Sequence, residues 1–379
     1  MHVEQQLWID NQLVQRGKET GTCVAPQLVL VFASPARLRD PDNWTRLRER
    51  WPSATIIGGS TAGEICGTRV LDDSLVATAI QFERTSVRCS QVNVADAPNS
   101  TELGHKLAEQ LLAPDLVHVF VLSDGLKVNG SDLVSGLTQR LPPHVAVTGG
   151  LCGDGARFER THVCVDEFSP TERIAGIGFY GRDLRVGFGS LGGWDPFGPE
   201  RRVTRSEGNI LYELDGSPAL DLYEQYLGEH AAGLPASGLL FPLTVRQHRS
   251  ELGVVRTILA VDRDARSLTF AGDVPNGHYA RLMRANFDRL LDGASGAAKT
   301  SYEAIGSRTP DLAILISCVG RKLVLGQRIE EEVEAVQQVL GEPTVLAGFY
   351  SYGEVSPFSR SARCELHNQT MTITTLSEG

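Results

Sequence analysis

A pattern that occurs three times constrains this chain more than any single motif. An apolar run, QLVLVFASP at 27–35, is followed by a stretch with Trp44, Leu47 and Trp51 on one helical face, and then by ATIIGGSTAGEI at 54–65. The order returns as DLVHVFVLSDG at 115–125, SDLVSGLTQRL, and VAVTGGLCGDG at 145–155. It returns again as DLAILISCVGR at 311–321, RIEEEVEAVQQVL, and TVLAGFYSYGEV at 344–355. Short runs of β-branched and aliphatic residues predict strands buried on both faces. In the third unit Ile329, Val333, Val336 and Leu340 form one apolar stripe, with Glu330, Glu331, Glu332 and Glu334 mostly away from it. Strand–helix–strand favours a parallel pair joined by a right-handed crossover. The expected class is α/β, with two domains built from repeated strand-helix-strand units and mixed sheets. The segment 192–209 is rich in Gly, Pro and charge and is followed by a new strand–turn–helix, so the domains are expected at 1–214 and 215–379.

The second strand of every unit ends in a glycine followed by a carboxylate: Gly63–Glu64, Gly153–Asp154 and Gly353–Glu354. Glycine there permits backbone conformations closed to other residues. Two roles are open to these corners. They are structural bends, with the acid accepting amide hydrogen bonds from a neighbouring turn, or they line a ligand site at the C-terminal ends of the strands, where open α/β sheets bind. Return strands are predicted at 74–82, 173–181 and 368–376, and a hairpin within 254–272. A long helix is expected over about 276–292, ending at Gly293, with GASGAA at 293–298 as a connector.

A net charge of −10 argues against nucleic acid as a main partner. No segment is apolar for long enough to span a bilayer, and MHVEQQLWIDNQLVQRGKET is too polar for a signal peptide, so a cytoplasmic protein without a membrane partner is expected. The seven cysteines form no CxxC and read as small buried hydrophobes of a reducing compartment.

IIGGSTAGEI, GGLCGDGARF, LYELDGSPALDLYEQYLG and GFYSYGEVSPF…LHNQTMTITTL closely resemble the FIST N- and C-domain pair, from about residue 26 to the C-terminus. The resemblance implies a bacterial intracellular signal-transduction sensor that regulates a histidine kinase or a cyclic-di-GMP signalling protein. A stand-alone subset, the NosP type, is described as binding haem and sensing nitric oxide. A sensor alone at this length, with no kinase, receiver or diguanylate-cyclase motif, resembles that arrangement.

Non-covalent haem b needs a neutral imidazole, an apolar slot and cations for its propionates. His248 beside Arg246 and Arg249, or His230 at a helix end, is the expected axial ligand, with His367 in reserve and Tyr350 in the pocket wall. His118 lies inside LVHVFVL and reads as a strand residue, while His2, His105 and His144 carry no signal. The alternative ligand is a polar metabolite such as an amino acid, its ammonium held by Glu64, Asp154 and Glu354 and its carboxylate by amides at the glycine corners. An enzyme is not expected. Gly176–Gly181 matches GxGxxG, but a strand rather than a helix follows, so a Gly-rich hairpin is predicted. Walker A, HExxH and GxSxG are absent. Cys152 as a hydrolase nucleophile would need a neighbour that lowers its pKa, and Asp154 would raise it.

Overall fold

The computed structural model describes residues 1–20, 23–249, 253–358 and 362–379. Each apolar repeat forms the expected unit. In the first, β1 (His2–Ile9) leads, and β2 (Leu28–Ala33) and β3 (Thr55–Ser60) run parallel around helix α1 (Pro41–Arg50). β4 (Glu64–Cys66) then turns away and β5 (Ser74–Gln81) returns antiparallel beside β2. The second unit repeats this with β6 (Ser86–Asn93), α2 (Ser100–Leu111), β7 (Leu116–Ser123), α3 (Gly130–Arg140), β8 (Ala146–Leu151), β9 (Val163–Val165) and β10 (Arg173–Tyr180). The third uses β11 (Leu184–Leu191), α4 (Phe287–Ala304), β12 (Leu312–Cys318), α5 (Ile329–Leu340), β13 (Val345–Ser351), β14 (Gly353–Pro357) and β15 (Met371–Glu378). The registers coincide. Val31, Val121 and Leu315 face Gly58, Gly149 and Gly348 on one side, and Ala77, Gly176 and Ile373 on the other.

The fourth strand of each unit is exchanged cyclically. β4 pairs with β13 of the third unit, β9 with β3 of the first, and β14 with β8 of the second. Three six-stranded sheets result. Their inner faces pool Leu30, Phe32, Phe120, Ile177, Ile314 and Phe349 into one core, with the Phe32 and Phe349 rings 4.8 Å apart. Their outer faces are covered by helices, as where Trp44 and Leu47 of α1 meet Val31 and Ile56. Burial on both faces is why the strands read as continuous apolar runs rather than alternating ones.

Residues 194–286 are inserted between β11 and α4. They form a nine-stranded antiparallel sheet with its own core around Leu211, Tyr223, Leu243 and Leu268. The expected hairpin lies here, pairing Ile258–Asp262 with Ser267–Phe270. Because β11 pairs with β15, strands on both sides of residue 215 share a sheet.

Three expectations are corrected. The stretch 276–292 is not one helix: Tyr279–Arg284 is a strand of the inserted sheet, and α4 begins only at Phe287, where the Asn286 side chain caps the amide of Arg289. GASGAA is no connector but the middle of α4. Its small residues let the helix lie directly on β11, where a β carbon on Gly187 or Gly189 would sit 2.1 Å from the Ser301 carbonyl oxygen or 2.3 Å from that of Ala297. The glycines at 176–181 belong to no hairpin either. β10 and β11 follow one another but enter different sheets.

Candidate functional site

The three glycine–acid bends meet where the sheets interlock. The Ala62 amide donates to the Tyr350 carbonyl at 2.8 Å and the Tyr350 amide to that of Gly63 at 2.8 Å. Gly153 donates to the Ser60 carbonyl at 2.9 Å, and Tyr352 to that of Leu151 at 3.1 Å. Only Gly63, at φ +142°, needs a backbone that favours glycine; Gly153 and Gly353 are glycine for space, a β carbon there lying 3.0 Å from the Ala62 nitrogen and from the Leu151 side chain respectively.

Glu64 and Glu354 are equivalent and buried. Glu64 accepts from the Thr61 hydroxyl, and from the Ser74 amide at 3.1 Å and hydroxyl at 2.7 Å. Glu354 accepts from the Ser351 hydroxyl at 2.7 Å, and from the Thr370 amide at 3.1 Å and hydroxyl at 2.9 Å. Asp154 takes the amides of Phe158, Glu159 and Arg160 at 2.9 Å each, together with the Tyr352 hydroxyl. Burial raises the Asp154 carboxyl, but the Tyr352 hydroxyl and the three amides outweigh it, so it lies below its ordinary value. All three acids therefore spend their hydrogen bonds inside the protein, and the amino-acid site expected from them is not built: no acid is left to face an ammonium group.

Desolvation lifts Glu64 from 4.5 to about 7 and Glu354 from 4.5 to about 8, against the opposing hydrogen bonds from Thr61, Ser74, Ser351 and Thr370. Between these limits the folded chain binds more protons than the unfolded one, so stability falls as pH rises from 4.5 through about 8. The urea midpoint is expected to be lower at about pH 9 than at about pH 5, with a smaller difference in the Glu64→Gln/Glu354→Gln double variant. An unchanged difference would mean these acids titrate normally.

A cleft of about 310 Å³ opens beside this interlock, at the C-terminal ends of β7 and β8. Leu151 and Tyr352 form its floor, the loop from Gly125 to Asn129 one wall, and Asn209, Leu259 and Phe270 of the inserted sheet the other. Asp124 shapes the loop by accepting the amides of Leu126 at 2.9 Å and Lys127 at 2.6 Å. The loop ends in Asn129, whose side chain caps α3 through the Asp132 amide at 3.1 Å and reaches Asp273 of the insert at 3.2 Å. At the rim Phe158 stacks on Tyr352, ring centres 4.4 Å apart. Phe158 holds φ +55°, unusual for a bulky residue, and its amide is one of the three that Asp154 fixes.

The residues expected to hold haem lie elsewhere. His230 and His248 are exposed on the inserted domain. Arg246 and Arg249 both pair with Glu200, at 2.9 Å from each guanidinium Nε. His367 is buried, its Nε2 lies 2.7 Å from the Ser356 carbonyl, and burial lowers its pKa to about 4. Tyr350 is buried, donating to Glu332 at 2.7 Å. None of these six lines either cavity described among these residues. Cys152 is fully buried, and burial raises its thiol well above the ordinary value, with Asp124 adding to the effect, which disfavours the thiolate that a nucleophile needs. The residues that sequence alone did not single out are Lys127, Asn129, Phe158 and Asn209. The Asp124–Gly125 pair at a strand end was the available signal for the first two; nothing local marks the others.

A cleft framed by strand ends and closed by an inserted domain is the architecture of a ligand receptor. The chain belongs to the FIST family: the FIST N domain matches residues 27–217 and the FIST C domain 219–357. It is thus a signal-transduction sensor of the kind that takes small ligands. It is 20% identical over 382 residues to the uncharacterized protein MJ1623 of Methanocaldococcus jannaschii, covering 90% of this chain and 72% of that one. A cyanuric acid hydrolase from A. caulinodans aligns over 78% of this chain and 99% of its own at 10% identity, but with a TM-score of 0.18 it carries no structural argument. Among the described residues no helix is long and apolar enough to cross a membrane, and no group of His, Cys, Asp and Glu is placed to hold a metal ion.

Proposed function

We propose that this protein senses a small molecule bound in the cleft between the Gly125–Asn129 loop and the inserted sheet, and passes its occupancy to a separate partner, a histidine kinase or a cyclic-di-GMP signalling protein. The observation that carries this is the cleft itself, a cavity at the C-terminal ends of β7 and β8 that is walled by residues of both family domains. A ligand touching Leu126 on one side and Leu259 on the other favours the closed arrangement of the two, which is what a population shift requires. Ala271→Trp would fill the cleft from the insert side. In a thermal-shift screen of metabolites, ligands that raise the wild-type melting temperature should leave this variant unmoved. Equal shifts in both proteins would place the ligand elsewhere.

A second possibility, haem with nitric oxide as the sensed ligand, has one supporting observation. A groove of about 1140 Å³ is bordered by His118, His144, Arg185 and Arg363. Burial lowers His118 to about 3, keeping it neutral; one ring nitrogen lies 2.9 Å from the Thr148 hydroxyl, and the other, Nδ1, is buried without a partner. The described surroundings of His248, His230 and His367 offer no such space. Haem there would supply an iron centre for a diatomic ligand, with His118 or His144 as its imidazole and the two arginines near its propionates. Hemin reconstitution tests it: a Soret band that His118→Ala and His144→Ala both leave unaltered excludes this groove.

A further inference from the structure

We infer that the cleft is selective for a small organic carboxylate with an apolar or aromatic body; this rests on the cleft being the ligand site. The three units place a cation at one equivalent position, four residues beyond the aligned Ala33, Ser123 and Ser317: Arg37, Lys127 and Arg321. In the first unit Arg37 pairs with Asp10 at 2.6 Å and Asp73 at 3.2 Å. In the third, Arg321 pairs with Glu332 at 2.7 Å. Lys127 differs. It is exposed, it lines the cleft, and it has no ion-pair partner among the described residues. The repeat that neutralises its cation internally in the first and third units leaves it open in the second, where the cavity is.

The remaining walls define the rest of the ligand. No acidic side chain lines the cleft; Asp124 and Asp273 lie behind its wall, bonded to the Leu126 and Lys127 amides and to the Asn129 side chain, and the acids of the three bends are spent on internal bonds. A zwitterion's ammonium would meet no carboxylate among the lining residues to offset the loss of its hydration. Leu126, Leu151 and Leu259 present apolar surface, and Phe158, 37% exposed at the rim, offers an aromatic face already stacked on Tyr352. The Asn209 amide nitrogen donates to the Phe270 carbonyl at 2.7 Å, which leaves its oxygen as an acceptor for a ligand hydroxyl or N–H. One ammonium suits a monoanion; a polyphosphate would call for several cations.

Calorimetric titration of the full chain with benzoate and with neutral benzamide tests the inference. Benzoate should bind about tenfold more tightly or better, the effect expected of one charge-assisted contact. Lys127→Gln should erase that difference, and Phe158→Ala should weaken both probes. Failure of benzoate to bind, equal affinities in the wild type, or a preference untouched by Lys127→Gln overturns the carboxylate assignment. If binding without charge preference is still abolished by Ala271→Trp, only the ligand class is wrong. If Ala271→Trp leaves binding intact, the cleft is not the site and both proposals fall.

Discussion

Replacing Arg321 by methionine is expected to destabilise the protein by about 3–5 kcal/mol, the range for breaking a buried ion pair from one side. Arg321 and Glu332 are both fully buried. Glu332 also accepts from Ser317 at 3.1 Å and from the Tyr350 hydroxyl at 2.7 Å, so without the guanidinium it is left as a desolvated carboxylate with two neutral donors. Arg321 does more than balance that charge. It donates to the carbonyl of Gly192 and, at 2.8 Å, to that of Leu290, which are the two stems of the inserted domain. Loss of the side chain should therefore also loosen the insert against the three-sheet body and weaken whatever binds in the cleft. Urea unfolding measures the first effect and ligand titration the second. Arg321→Met/Glu332→Leu should recover much of the stability, because no lone charge is then buried, but not the tethering of the stems. A single variant within about 1 kcal/mol of the wild type would show that this pair is solvated in solution.

Gly149→Ala and Gly348→Ala should each prevent accumulation of folded protein, with penalties above about 4 kcal/mol. A β carbon on Gly149 would lie 1.9 Å from the Val121 carbonyl oxygen, and one on Gly348 1.8 Å from that of Leu315. Both contacts are with the backbone of the neighbouring parallel strand, which cannot move without breaking its ladder to the return strand. Gly149 carries φ +148° as well, so alanine there is strained whatever the space. The first unit supplies an internal control. At the equivalent Gly58 a β carbon would meet the Leu38 side chain and the Val31 carbonyl at 3.3 Å, and small shifts relieve that. Gly58→Ala should yield folded protein with a modest loss of melting temperature. Similar behaviour of all three variants would mean that the units are more alike in solution than their geometry indicates.

The exchanged strands show why the repeat was legible and its assembly was not. Glu64–Cys66 and Val163–Val165 are three residues long and pair with strands of another unit. Three residues carry too little period to specify a partner, and their register is set by the bends before them. Likewise YARLMR at 279–284 alternates well enough for a strand yet runs into a helical pattern, and its pairing with Leu243–Arg246 on one side and with residues 195–196 and 201–202 on the other decides between them. The small residues of α4 look like a linker until β11 is packed against them.

The three strand–helix–strand units are written in the residue pattern, because a strand covered on both faces has to be apolar throughout, and so is the helical stripe from Ile329 to Leu340. It also marked the glycine–acid bends. What those acids do is set by the packing of the folded chain. A carboxylate in a sequence shows its capacity for hydrogen bonds, not whether Ser74, Thr370 or the 158–160 amides have already filled it. The cleft follows the same rule. Lys127, Phe158, Asn209 and Tyr352 come together only when the units close on one another and the insert folds back, and no local pattern encodes contacts so far apart in the chain.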